Sequence, residues 1–282
     1  MTCQWQELMR LLPPRIRESV DKQGQEDAQE IRLRLGAKPE IVKQNLSVWI
    51  EGKVTSDDIS FCLNTATRYS PWTSESIAEG YITAVGGHRI GLCGQCAFHA
   101  DKLKNISDVT SLCIRVARDF KGISGKIYQS TGSILIIGAP GCGKTTFLRD
   151  LIRHISDTEN GSVAVIDERR ELFPYYNGKF FFERGRRTDV LSGCNKAIGL
   201  DMVLRTMGPA FIALDEITNR DDCRALLEAS WCGVNLIASA HAADKHDLFT
   251  RKIYAPILES KIFKTLITIR PDKSWNEEVL YI

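Results

Sequence analysis

Ser133-Ile134-Leu135-Ile136-Ile137 runs straight into Gly138-Ala139-Pro140-Gly141-Cys142-Gly143-Lys144-Thr145-Thr146, and this stretch decides the fold. Five apolar residues without alternation predict a strand buried on both faces of a parallel sheet. Gly138 to Thr145 then matches G-x-x-x-x-G-K-[ST] completely. Phe147, Leu148, Leu151, Ile152 and Ile155 follow at helical spacing, so an amphipathic helix leaves the loop. Strand, glycine loop and helix in that order form a phosphate cradle. Gly138, Gly141 and Gly143 let the backbone turn its N–H groups toward an anion, and the helix start adds partial positive charge. Residues Gly138 to Thr146 are therefore the expected nucleotide-binding set. Lys144 is placed to reach the β- and γ-phosphates of ATP, and the Thr145 hydroxyl to ligate Mg²⁺.

Working outward, similar apolar runs recur at Val163–Ile166, Phe211–Leu214, Val234–Ala238 and Thr265–Ile269. Helical patterns at Ala197–Met207 and Asp222–Trp231 lie between them. The alternation predicts a doubly wound α/β sheet. Three strand ends carry polar groups. Phe211-Ile-Ala-Leu214 stops at Asp215-Glu216, which puts a carboxylate beside the loop; Asp215 is the expected Mg²⁺ ligand and Glu216 the group that polarises the attacking water. Ile166 is followed by Asp167-Glu168-Arg169-Arg170-Glu171, expected to end an intervening strand near the γ-phosphate, with Asp167, Glu168 or Glu171 assisting the metal or water. Ala238-Ser239-Ala240-His241 ends a fourth strand, and His241 is the expected γ-phosphate sensor.

The half before Ser133 has a different texture. Gln6–Leu12 reads as a helix closed by Pro13-Pro14, and Glu30–Leu35 alternates at period two as a strand does. Ser47–Ile50, Glu51-Gly52 and Lys53–Thr55 read as a hairpin, and Ser56 onward as a capped helix. A helix is expected at Ser74–Glu79, a hairpin at Gly80–Leu92 around Gly86-Gly87, and a strand at Ser111–Ala117. The expected division is an α+β domain over 1–120, a linker over 121–132 and the α/β domain over 133–282.

At about 150 residues per domain, 282 residues make one large domain or two modest ones. With 37 Lys+Arg against 35 Asp+Glu, the formal charge of +2 is too even to argue for nucleic acid. No signal-type apolar region opens the chain, and no apolar run approaches the ~20 residues of a spanning helix, so a cytosolic protein is expected. Nine cysteines, an odd number, do not make a disulfide framework. Cys93-Gly-Gln-Cys96 has metal-like spacing, but residues 93 and 96 leave opposite faces of a straight strand, so no metal is expected there.

The α/β half resembles the RecA-like ATPases of type II and type IV secretion and pilus systems. The resemblance rests on Asp167–Glu171, on Arg205-Thr-Met-Gly-Pro209 through Asp215-Glu216 to Arg220-Asp221, and on Gly233–His241. A closer likeness is to a sporulation branch, the stage III sporulation protein AA family. It is carried by Glu30–Leu35, Gly80-Tyr-Ile-Thr83, Gly86–Leu92, Pro140–Thr146, Val165–Arg169, Arg187–Leu191 and Gly193-Cys194. The chain departs from the pattern at Ile217-Thr218-Asn219-Arg220, where Ile-Gly-Arg is expected after the acid pair, and around Ala240–Ala243. The resemblance implies a RecA-like P-loop sheet domain preceded by a smaller α+β domain. It also implies a cytoplasmic ATPase, hexameric and peripheral at the membrane through a partner protein, at the channel joining mother cell and forespore. An arginine from a neighbouring subunit would complete the site, with Arg187 as the first candidate among Arg89, Arg115, Arg118, Arg186 and Arg205. The alternative is a RecA-like nucleic-acid motor using the same ATP site.

Overall fold

The computed structural model describes residues 3–24, 27–44, 46–68, 80–99, 102–125, 132–158, 161–176 and 178–281. The helix expected at 74–79 and half of the linker expected at 121–132, residues 126–131, lie outside them. The described chain divides into two compact units, residues 1–119 with 174–181, and residues 120–173 with 182–282.

The first unit opens with α1 (Trp5–Leu11) and α2 (Pro14–Gly24). Pro14 takes the first helical position of α2, where a missing N–H costs nothing, and the Pro13 carbonyl accepts from Arg17 N–H at 2.9 Å. The strands are β1 (Glu30–Arg34), β2 (Glu40–Val42), β3 (Ser47–Trp49), β4 (Tyr81–Thr83), β5 (Arg89–His99) and β6 (Lys102–Arg115), with α3 (Ser56–Arg68) between β3 and β4. They form one sheet in the order β3-β2-β1-β6-β5-β4, and every neighbouring pair is antiparallel. Period-two patterning in β1 sends Ile31 and Leu33 into a core shared with Ile41, Ile90, Ile114, Leu8, Val20 and Ile59. This is the α+β layout expected.

The hairpin expected within 47–55 does not form. Ser47–Trp49 pairs instead with the unforeseen β2, across a turn in which Lys43 N–H donates to Leu46 O at 2.9 Å, and Val54 makes only an isolated parallel bridge to Leu35. The start of α3 is held reciprocally: Thr55 Oγ1 accepts from Asp58 N–H at 3.3 Å while the Asp58 carboxylate accepts from Thr55 N–H at 2.7 Å. The hairpin around Gly86-Gly87 is as expected, with Ile82 opposite Ile90. Cys93 and Cys96 are exposed on β5, opposite Ser111 and Ile106 of β6.

The second unit is built on β7 (Ile134–Gly138), β8 (Val163–Asp167), β11 (Thr188–Ser192), β12 (Phe211–Leu214), β13 (Asn235–His241), β14 (Thr265–Ile269) and β15 (Trp275–Val279). A two-strand ribbon, β9 (Tyr175–Tyr176) and β10 (Lys179–Phe180), lies between β8 and β11 in sequence and belongs to the first unit. The helices are α4 (Lys144–Thr158), α5 (Lys196–Thr206), α6 (Arg220–Trp231), α7 (Lys245–Thr250) and α8 (Ala255–Glu259). The sheet order is β11-β8-β12-β13-β7-β14-β15, parallel except for β15. Every residue of β7, β8 and β14 is buried, as continuous apolar runs require. The intervening strand next to β7 is β13, not the Val163–Asp167 strand, which lies beyond β12. Spatial order is set by the crossovers, and the apolar runs carry no trace of it.

His88, part of the Gly86–Leu92 signature, is fully buried in the first unit. Its Nδ1 accepts from Ala117 N–H at 3.1 Å, so Nε2 carries the proton and donates to Gln4 O, also at 3.1 Å. Both ring nitrogens are thereby used in packing three segments together. Burial pushes its pKa from 6.5 down to about 4, against the raising effect of the Gln4 carbonyl. Between those values the unfolded chain binds a proton that the folded unit refuses, so stability falls as pH drops through that window, by about 3 kcal/mol in total. Urea unfolding at pH 7.5 and pH 4.5 should show this loss in the wild type and a clearly smaller one in His88→Gln; parallel losses would refute it.

Candidate functional site

The site grows from the end of β7. A Cβ on Gly138 would lie 2.4 Å from Cys142 Sγ and 2.6 Å from Ile269 O, so only glycine lets the loop fold back over β14. Gly141 and Gly143 take φ of +74° and +104°, a region that side chains resist. The loop opens into α4, whose first residue is Lys144. Its ammonium is largely buried and donates to Gly138 O at 2.8 Å, to Ala139 O at 3.1 Å and to His241 Nδ1 at 2.9 Å. Three protons meet three acceptors. Burial lowers the Lys144 pKa below the ordinary 10.5, opposed by nearby Cys142, Glu216 and Asp215.

Strands β12 and β13 bring the acids to the same edge. Thr145 Oγ1 donates to Asp215 Oδ2 at 2.8 Å, joining the loop to the end of β12 across the intervening β13. Ser239, fully buried on β13, fills the gap: its Oγ donates to Asp215 Oδ1 at 2.8 Å and accepts from Glu216 N–H at 3.0 Å. Glu216 has a φ of 42°, a conformation uncommon for a residue with a side chain and concentrated at functional sites. Its Oε1 is 2.9 Å from His241 Nε2. Because the Lys144 ammonium can only donate, His241 Nδ1 accepts, and the proton sits on Nε2 facing Glu216. A hydrogen-bonded line therefore runs from Lys144 through His241 to Glu216. The Tyr254 hydroxyl accepts from His241 N–H at 3.1 Å and steadies the end of β13. Arg169 Nη1 stands 3.9 Å from Glu216 Oε2.

Of the residues expected from sequence, Gly138, Gly141, Gly143, Lys144, Thr145, Asp215, Glu216 and His241 are brought together here. At the strand end Asp167–Glu171, Arg169 faces Glu216, while Asp167 and Glu168 have partners of their own. Asp167 is buried and accepts from Glu171 N–H and Phe173 N–H, both at 2.8 Å, shaping the loop after β8; burial pushes its pKa up, against those amides. Glu168 pairs with the buried Lys196 at 2.6 Å, and Lys196 also lies 3.5 Å from Asp222 at the start of α6. Arg187 precedes β11 at the strand-start edge, opposite the edge that carries the loop, and its Nε donates to Ser156 O at 3.0 Å. Arg205 is exposed on α5 and pairs with Asp201 at 2.8 Å.

Ser239, Arg169, Lys196 and Tyr254 were not singled out from sequence. Only Ser239 left a trace there, as the lone hydroxyl within an otherwise apolar run. Thr145 and Asp215 offer hard oxygen donors of the kind Mg²⁺ takes alongside phosphate and water, so the residues present fit that ion.

A family model described as sporulation stage III, protein AA matches residues 3–279. Stage III sporulation protein AA of Bacillus subtilis (strain 168) is 34% identical over 270 residues, covering 91% of this chain and 88% of that protein. Among solved structures, the Legionella pneumophila ATPase DotB superposes with a TM-score of 0.58 at 16% identity, over 93% of this chain and 78% of its own. The pilus retraction motor PilT with bound ADP gives 0.59 at 17% identity, over 90% and 76%. The fold is thus that of the secretion and pilus ATPases, as the resemblance implied.

Ser239→Ala removes a buried hydroxyl and takes a partner from two half-buried groups, the Asp215 carboxylate and the Glu216 amide. Denaturant unfolding should show a loss of about 1 kcal/mol, the scale of a lost hydrogen bond, since both groups keep some access to water. A change below about 0.5 kcal/mol, the size of an ordinary surface substitution, would show that Ser239 does not hold the acid pair.

Proposed function

The chain belongs to the sporulation stage III protein AA family, and from that premise we propose that it is a Mg²⁺-dependent ATPase that works as a ring against a membrane-embedded, secretion-type complex of the sporulating cell. The observation that carries the reading is the Thr145–Asp215 contact at 2.8 Å, standing beside the Lys144–His241–Glu216 line. On this reading the amides of Gly141 to Thr145 cradle the β-phosphate. Lys144 releases the Gly138 and Ala139 carbonyls and carries its charge to the β- and γ-phosphates. Thr145 and Asp215 would hold the metal, which would supply neutralisation of the phosphate charge. Glu216 orients the attacking water and draws off its proton. When Lys144 turns to phosphate, His241 loses its partner at Nδ1, so the state of the γ-phosphate is passed to Glu216 through one imidazole.

Arg169, placed at the site, faces Glu216, so on this reading the γ-phosphate still calls for an arginine of its own. A neighbouring subunit supplies it, with Arg187 the first candidate. Such a residue is worth roughly 10³–10⁵ in rate, or about 4–7 kcal/mol of barrier. Among the described residues no helix is long and apolar enough to cross a membrane. In this reading the protein reaches the bilayer through a partner protein, from the cytoplasmic side. A charge of +2 gives little electrostatic hold on nucleic acid, which favours the secretion-type role over a nucleic-acid motor.

Phosphate release by the purified protein tests the assignment. Lys144→Ala should lose activity, and Glu216→Gln should retain ATP but stall hydrolysis; a Glu216→Gln protein that turns over at the wild-type rate contradicts it. Specific activity should rise with protein concentration as rings assemble, and added Lys144→Ala subunits should depress wild-type neighbours. Activity per subunit that stays flat across dilution rules out a shared site.

A further inference from the structure

The catalytic groups all lie on one flank of the loop, toward β13 and β12. Its other flank is β14, whose Ile269 is in register with Gly138. Beyond it the chain turns at Arg270-Pro271-Asp272-Lys273-Ser274 into β15. The turn is closed by Lys273 N–H to Arg270 O at 3.0 Å and by Arg270 N–H to Ser274 O at 2.9 Å. Asp272 Oδ1 accepts from Ser274 N–H at 2.9 Å and from its hydroxyl at 2.6 Å. The tip residue, Lys273, has a φ of 71°. Glycine or asparagine is the usual occupant of such a left-handed turn position.

The Lys273 side chain is exposed, yet it lies across the phosphate loop. Its ammonium donates to Gly141 O at 2.5 Å, and its Cδ is 3.9 Å from where a Cβ on Gly143 would stand. An exposed carbonyl needs no lysine, since water would satisfy it. A cation held against a loop whose amides are arranged for an anion has a second use. We propose that Lys273 is a further nucleotide-binding residue, a second cation that leaves Gly141 O for the phosphate chain of bound ATP or ADP. It comes from the flank opposite the metal end, so the phosphates are gripped by Lys144 from below and by Lys273 from the β14–β15 turn. This inference rests on the ATP reading above.

Calorimetric titration of the full chain with Mg²⁺-ADP and Mg²⁺-ATP tests it. Lys273→Gln keeps an N–H donor for Gly141 O but carries no charge, whereas Lys273→Arg keeps both. The Gln variant should raise Kd for both nucleotides about tenfold, the scale of one charge-assisted hydrogen bond, and the Arg variant should stay within about threefold of wild type. The melting temperature without nucleotide should be the same in all three proteins. A Gln variant that binds like wild type overturns the proposal, as does an Arg variant weakened as much as Gln. A folded wild type that binds neither nucleotide overturns the ATP reading itself, and this inference with it.

Discussion

The hydrogen bond from Thr145 Oγ1 to Asp215 Oδ2, 2.8 Å long, joins the start of α4, which leaves the loop after β7, to the end of β12, and β7 and β12 are not neighbours. Between them β13 carries a buried serine inside an otherwise apolar stretch. Ser239 holds the other Asp215 oxygen and the Glu216 amide together, so the whole acid pair is fixed by one hydroxyl. Four crossovers, β7 to β8, β8 to β11, β11 to β12 and β12 to β13, place β7, β13 and β12 side by side, and the glycine loop must fold tightly enough for α4 to begin at Lys144. The burial of the sheet strands and the missing Cβ at Gly138 serve that one alignment.

The three protons of the Lys144 ammonium are taken by two loop carbonyls and an imidazole, and under the proposed ATP reading phosphate binding would exchange them. The exchange is favourable because the carbonyls are neutral acceptors, whereas phosphate oxygens carry charge. The same event frees one side of His241 while its other side still faces Glu216. Glu216 in turn sits in a backbone conformation that the Ser239 contact and the Ile217 N–H bond to Ser239 O, 2.7 Å, hold in place.

Much of this was legible in the residues, and the parts that were not share a cause. The loop was readable because its backbone geometry demands glycine at fixed positions, and Asp215-Glu216 because an apolar run that ends in acids has few structural uses. The lateral order of the strands was not readable, since Val163–Ile166 and Leu236–Ala238 are equally apolar; hence the expectation that the Asp167 strand is the intervening one, a place taken by β13. Charge runs were ambiguous for the same reason: Glu168 answers the buried Lys196, 28 residues further along the chain but adjacent in space. β2, three residues long, is too short to show a period, and β11, Thr188-Asp-Val-Leu-Ser192, is neither an apolar run nor a clean alternation. Lys273, more than a hundred residues from the loop it touches, had no local signature at all.

The central claim is that Thr145 and Asp215 form the metal end of a nucleotide site, and metal binding reads it without reference to turnover. Electron paramagnetic resonance with Mn²⁺ in place of Mg²⁺, in the presence of ADP, counts the ions held by the folded chain. The account predicts about one Mn²⁺ per wild-type chain, dependent on the nucleotide and strongly weakened in Asp215→Asn, because the ion is held through a carboxylate together with phosphate oxygens. Nucleotide-dependent Mn²⁺ binding that is equally tight in Asp215→Asn would contradict it.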